Sequence, residues 1–305
     1  MQTTKLRGII PPMITPLKGN DCLDREGTVR LTEHLIRGGV HAIFILGTTG
    51  EAQNLTYRLR YEFVSLVCEQ AAGRVPVLVG VTDTAFDESV RLAEHAAKCG
   101  AVGVVAAPPY YFAPSQQELI EYYTALADAL PLPLYLYNMP SHVKVFLEPA
   151  TVKTLAKHPN IAGLKDSSAN MNYFQTLLYH LGDDPEFSLY VGPEELTGES
   201  VLLGADGGVN GGANIFPELY VGMYEAAAAH DIARVRELQR RIMQISTTVY
   251  TVGKYGSSYL KGVKCALSLL GICDDFLSYP YRKFRTEERA RIRQALEALG
   301  AKCVE

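Results

Sequence analysis

Short runs rich in β-branched and aromatic residues alternate along the chain with longer amphipathic runs, and glycine or proline punctuates most of the changes. The short runs are GIIPPMIT, AIFILG, VPVLVGV, GVVAAP, PLYLYN, IAGLKD, FSLYVG and GGVNGGAN. Between them lie helical patterns such as YRLRYEFVSLVCEQAAG, DESVRLAEHAAKCG and QQELIEYYTALADAL, several closed by a glycine suited to a helix C-terminus. Strands joined through helices pair in parallel, so the alternation predicts βα units around a parallel sheet. About eight units within roughly 215 residues match a closed ring better than an open sheet. The expected fold class is therefore α/β, a (β/α)8 barrel of TIM type.

After Pro217 the pattern changes to helices without strands: ELYVGMYEAAAA, IARVRELQRRIMQISTTVYTV, SSYLKGVKCALSLLG and EERARIRQALEALG. The first completes the ring and the others form an additional C-terminal appendage. The expected organisation is a catalytic barrel over residues 1–228, with a helical appendage over 229–305 in the same structural unit. The appendage covers the barrel's side or builds a subunit interface. With 305 residues, 48% hydrophobic and 20% charged, the chain has ample material for one such core.

A net charge of −4 gives no sign of a nucleic-acid or membrane-surface binder. Neither a long apolar span nor a signal-peptide core is visible, which makes the cytoplasm the default location. Six cysteines without a CxxC pattern read as reduced, mostly buried thiols, and seven histidines without HExxH give no support for a zinc site. The NLT sequon at Asn54 matters only in a secreted protein.

Barrels of this type gather reactive groups at the C-terminal ends of the strands. The candidate ends are LGTTGE at 46–51, APPYYFAP at 107–114, LYNMP at 136–140, LKDSS at 164–168 and VGPEE at 191–195. Lys165 lies inside an apolar strand, where lysine is rare. Burial without a partner disfavours the ammonium and exposes a nucleophilic amine, which can condense with a ketone to give a Schiff base. The competing readings are a strand that ends early, an ion pair with Asp166, or a side chain that snorkels outward. Lys254, Lys261 and Lys264 lie in polar or helical surroundings where solvation is expected. The GTTGE turn offers the hydroxyls of Thr48 and Thr49 and backbone amides able to bind a carboxylate; a plain βα turn is the alternative. Tyr137 ends the fifth strand, and proton transfer around an imine needs weak acids nearby. A packed tyrosine with a satisfied hydroxyl is the alternative there, and for Tyr110 and Tyr111.

In this order and spacing, GTTGE, PPYYFAPS, YNMP and GLKDSS resemble the dihydrodipicolinate synthase and N-acetylneuraminate lyase family of class I, pyruvate-handling aldolases. The likeness runs from PPMITP to KCALSLLGI. By resemblance, Lys165 forms the imine with pyruvate or another 2-oxo acid and Tyr137 is the proton shuttle. Thr48 and Tyr111 match the remaining relay positions, Tyr111 reaching into a neighbouring subunit's site. Thr49 and its turn match the pyruvate-carboxylate pocket, and Val209 matches an apolar wall behind the pyruvate. The family implies extra C-terminal helices, a homotetramer and no metal or organic cofactor.

The second pocket departs from the synthase pattern. Synthases usually carry an arginine two places after the proline of YNxP, whereas this chain has His142, which lacks the planar fork for a carboxylate. Lys144 compensates only if the loop is rearranged. VGPEE resembles the lyase branch, in which Gly192, Glu194 and Glu195 match positions that grip sugar hydroxyls. Ser167 stands where that branch has a hydroxyl residue, and Asn210 adds an amide. Solvated surface carboxylates are the competing reading of the Glu-Glu pair. The expected substrates are a 2-oxo acid such as pyruvate and an aldehyde, within a sugar-acid-like aldolase reaction. The alternatives are dihydrodipicolinate synthesis with aspartate semialdehyde, sugar-acid dehydration, and non-catalytic binding of a 2-oxo acid.

Overall fold

The structure is a computed structural model that describes residues 5–304, so residues 1–4 and 305 of the two expected spans lie outside it. Eight parallel strands form one sheet: β1 (Gly8–Ile9), β2 (Ile43–Ile45), β3 (Val77–Gly80), β4 (Gly103–Ala106), β5 (Leu134–Asn138), β6 (Ile161–Asp166), β7 (Ser188–Val191) and β8 (Gly207–Gly208). Each neighbours its successor from β2 to β8, and β8 pairs with β1. The remaining gap is closed beyond β1 by a parallel bridge between Pro12 and Phe44, with Met13 N–H donating to the Phe44 carbonyl at 2.8 Å. All eight expected runs are strands, although the first and last pair over two residues each because proline and glycine interrupt them. A small antiparallel hairpin, Leu17–Gly19 with Cys22–Leu23, precedes the first helix and has no clear period in the sequence.

The helices between strands bury one face against the sheet. Phe86–Lys98, for example, buries Ser89, Leu92, Ala93 and Ala96, the i, i+3, i+4, i+7 spacing of an amphipathic helix. Tyr57–Ala71 starts on a Thr56 side-chain cap, and Gln116–Ala129 on a capping box between Ser115 and Glu118. No helix among the described residues is long and apolar enough to cross a membrane. The six cysteines are free thiols.

Three helices follow the one at Pro217–Ala228, namely Ile232–Thr248, Ser258–Leu269 and Thr286–Ala298. They reach the barrel mouth through an ion pair that corrects one expectation. Lys264, read from sequence as solvated, has no exposure at all. Its ammonium pairs with the Glu51 carboxylate at the end of the GTTGE turn and donates to the Phe276 carbonyl at 2.7 Å. Glu51 also accepts from the Ser278 amide at 2.9 Å. The helical period of SSYLKGVKCAL made Lys264 look like an outer-face residue, but that face is covered by the barrel. Removing the lysine strands a buried carboxylate, so Lys264→Met is expected to destabilise the fold by about 3–5 kcal/mol. Lys264→Met with Glu51→Gln should recover more than half of that loss, as measured by denaturant unfolding.

Candidate active site

Parallel register sets the centre of the site. Tyr137 on β5 is paired directly with Lys165 on β6, so the two side chains leave the sheet on the same face. Lys165 is only 7% exposed. Its Nζ lies 4.2 Å from the Tyr137 ring centroid and 5.4 Å from that of Phe44. The expected alternatives for Lys165 are not met: its strand runs on through Asp166, and it makes no ion pair among the described residues. Asp166 instead accepts from Asn138 Nδ2 at 2.8 Å, from the Ser168 amide at 3.1 Å and from the Ser168 hydroxyl at 2.9 Å. Burial raises the Asp166 carboxyl against these bonds, so its charge is spent on the loop after β6 and not on the lysine.

The GTTGE turn stands beside this pair. Leu46, just before it, and Glu51, its last residue, both have left-handed backbones, at φ 57° and 56°. Gly80 permits the turn's close approach, since a Cβ there would sit 2.1 Å from the Leu46 carbonyl oxygen. The Thr15 hydroxyl donates to the Gly50 carbonyl at 2.6 Å and ties the turn to the segment after β1. Inside the turn, the Gly50 amide donates to Gly47 and the Glu51 amide to Thr48, whereas the Thr48 and Thr49 amides have no protein acceptor among the described residues. Thr48 Oγ1 and the Tyr137 hydroxyl are 3.3 Å apart. Thr49 Oγ1 lies 3.2 Å from the hydroxyl of Tyr259, which comes from the C-terminal helix Ser258–Leu269. Sequence reasoning did not single out Tyr259, because the contact spans 210 positions and the helix reads as an appendage.

These groups line a cavity of about 710 Å³ that includes Thr48, Thr49, Tyr137, His142, Tyr255 and Tyr259. Lys165 is not itself part of this lining, but its Nζ stands next to the rings of Tyr137 and Phe44, which are. Among the described residues, His142 is the only basic side chain of the lining. Loss of water around the ring and, second, the charge of Lys165 hold its imidazole below the usual 6.5, so it is neutral near pH 7. Its Nδ1 is bonded to the Ser141 hydroxyl at 3.0 Å. Lys144 does not join this lining. No group of three or more His, Cys, Asp or Glu side chains is arranged to hold a metal among the described residues.

Ser167, Gly192 and Asn210 also come together. Gly192 is required there, because a Cβ would meet Ser167 Oγ at 2.1 Å, and its carbonyl accepts from Asn210 Nδ2 at 3.3 Å. Asn210 Oδ1 is buried without a partner. Val209 is 5% exposed and its amide is tied to β7. None of Ser167, Gly192, Glu195, Val209 and Asn210 is in the cavity lining, and Tyr111 and Glu194 lie further apart. Tyr111 is 83% exposed with its ring against Phe112, so within one chain it does not reach Tyr137. Glu194 is fully enclosed and does not line the cavity, which corrects the expectation that it meets a substrate hydroxyl directly. Its carboxylate accepts from the Gly212 amide at 2.8 Å, the Tyr250 hydroxyl at 2.7 Å and the Tyr220 hydroxyl. Glu195, half-buried, makes no such bonds with its carboxylate among the described residues.

Burial pushes the Glu194 carboxyl up from the usual 4.5 to about 7, against the pull of the donors around it. Between these values the folded chain keeps a proton that the unfolded chain has released. Stability therefore falls as pH rises from 4.5 to about 7 on this residue's account. Thermal midpoints across that window should show the slope, and Glu194→Gln should flatten it.

A profile of the dihydrodipicolinate synthetase family matches residues 5–299. A solved dihydrodipicolinate synthase from Bacteroides thetaiotaomicron superposes with a TM-score of 0.95 at 59% identity, covering 97% of this chain and 99% of that one. YagE of Escherichia coli, a prophage protein of the dihydrodipicolinic acid synthase family solved in complex with pyruvate, gives 0.90 at 31% identity over 96% and 98%. The probable 2-dehydro-3-deoxy-D-pentonate aldolase YjhH of Escherichia coli is 31% identical over 299 residues, 97% of this chain and 98% of its own. A barrel closed in the same way, matched over nearly its whole length, makes this chain a member of the dihydrodipicolinate synthetase family of lyases, whose enzymes bind pyruvate through a lysine Schiff base with no separate cofactor.

Proposed function

We propose that the chain is a pyruvate-dependent aldolase of a sugar-acid-like compound, a 2-keto-3-deoxy or sialic-acid-like acid, with Lys165 as the imine-forming residue. The observation that carries this reading is the cavity lining, which holds hydroxyl and amide groups from Thr48, Gln53, Asn54, Thr82, Tyr110 and Ser257 but no lysine or arginine. A neutral chain of hydroxylated carbons finds donors and acceptors along such a wall, whereas a short anionic aldehyde finds no guanidinium.

In this reading the amine of Lys165 adds to the C2 ketone and water leaves, giving the imine. Cleavage of the C3–C4 bond sends its electron pair to the imine nitrogen, and the C4 hydroxyl proton departs as the aldehyde forms. Tyr137 takes and returns protons, with Thr48 at 3.3 Å as the next member of the relay. The free amides of Thr48 and Thr49, with the Thr49 hydroxyl, receive the pyruvate carboxylate, and Val209 backs the C3 side. Ser167, Gly192, Asn210 and Glu195 hold hydroxyls of the second fragment, with His142 opposite. Tyr111 completes the relay from a neighbouring copy in a homo-oligomer, by family resemblance a tetramer.

The 59% identity to a protein named dihydrodipicolinate synthase favours a second reading, condensation of pyruvate with aspartate semialdehyde. Borohydride reduction with pyruvate should leave the adduct on the peptide containing Lys165, and a folded protein that never forms it overturns both readings. Tyr137→Phe should lower kcat about 10²–10⁴-fold while the purified protein keeps its unfolding free energy within about 1 kcal/mol of that of the unaltered chain. In a panel of aldehydes the hydroxylated members should outpace aspartate semialdehyde, and His142→Arg should raise the rate with the latter. Faster turnover of aspartate semialdehyde by the unaltered chain selects the second reading.

A further inference from the structure

The cation missing from the cavity is found next to it. A second cavity of about 830 Å³ adjoins the first, and Tyr255, Ser257 and Tyr281 line both. Tyr255 is 75% exposed and Tyr281 is 38% exposed, so the partition is a rim of surface side chains and not a packed wall. The lining of the second cavity carries Lys254, Lys261, Arg282, Lys283 and Arg285 against a single carboxylate, Glu288. Lys283 is neutralised by Asp275 at 3.0 Å, and Glu288 accepts from the Arg285 amide at 3.1 Å. Lys254, Lys261, Arg282 and Arg285 have no carboxylate within ion-pair distance among the described residues. In a chain of net charge −4, four unpaired cations around one concavity make a local positive field. The ring of Tyr255 lies 5.9 Å from Lys261 Nζ, which leans this cation toward the shared rim.

We propose that this basic vestibule binds an anionic group at the far end of the substrate, a terminal carboxylate or phosphate on the aldehyde fragment. The inference rests on the aldolase reading of the adjoining cavity and narrows its substrate class. The reactive end meets a hydroxyl-rich wall without lysine or arginine, the middle of the chain passes the Tyr255 and Tyr281 rim, and the charge ends among Lys254, Lys261 and Arg282.

The test compares acceptors matched except for the terminal group, each with pyruvate: erythrose 4-phosphate against erythrose, and glucuronate against glucose. The anionic member of at least one pair should have kcat/KM about tenfold higher at low salt, with the preference shrinking as ionic strength rises. The pair that responds tells phosphate from carboxylate. In Lys261→Gln/Arg282→Gln the preference should fall to about one, with the loss on the anionic member. Equal rates within both pairs, a preference that survives the double substitution, or a loss shared by both members overturns the proposal. Inorganic phosphate that changes turnover of erythrose as much as it does that of erythrose 4-phosphate would make the vestibule an effector site and overturn it too. Borohydride trapping of pyruvate on Lys165, run on the same samples, separates the two failures: an adduct with no anion preference rejects the vestibule alone, and no adduct rejects the aldolase reading beneath it.

Discussion

Pairing of Tyr137 with Lys165 across β5 and β6 fixes the relative position of a phenol and an amine more tightly than any loop contact can, because a one-residue slip would send one of them to the other face. The site is assembled around that pair. The rings of Tyr137 and Phe44 stand 4.2 and 5.4 Å from the lysine nitrogen. Thr48 meets the phenol from β2's turn, so three strands and one loop converge with backbone precision.

Two buried lysines show how partners separate structural from chemical use. Lys264 is enclosed with the Glu51 carboxylate and the Phe276 carbonyl as partners, the pairing that a buried cation requires. Lys165 has two aromatic rings beside its nitrogen and no carboxylate paired with it among the described residues. The acidic pair after Gly192 divides in the same manner. Glu194 is surrounded by phenols whose own protons are held firmly by burial and by its charge, so it orders the Gly211–Asn214 turn from inside. Glu195 keeps its carboxylate uncommitted.

The strands were legible because a parallel sheet buried on both faces writes itself as short apolar runs, and IAGLKD or PLYLYN have no other reading at that length. Lys165 was legible for the converse reason, as a polar residue inside such a run. Residues arriving from outside the βα repeat were not. Tyr259 and Lys264 sit on a helix whose period is ordinary, and only the return of that helix over the barrel mouth gives them contact with Thr49 and Glu51. The fate of Glu194 was hidden as well, since Tyr220 and Tyr250 lie 26 and 56 positions away. His142 was legible because the change is one of residue type at a position that the YNMP motif already locates.

Charge placement along the substrate path then follows from where the chain can tolerate it. In the proposed reaction an arginine beside Lys165 would raise the local positive potential at the reacting amine, whereas the His142 imidazole is held below its ordinary pKa by burial and by the lysine's charge. Lys254, Lys261 and Arg282 stand instead around the neighbouring cavity. In the proposed vestibule their field would draw an anion toward the mouth without placing a cation in the lining of the first cavity. A site built this way separates the group that recognises charge from the group that makes the bond, and it favours substrates long enough to span the two.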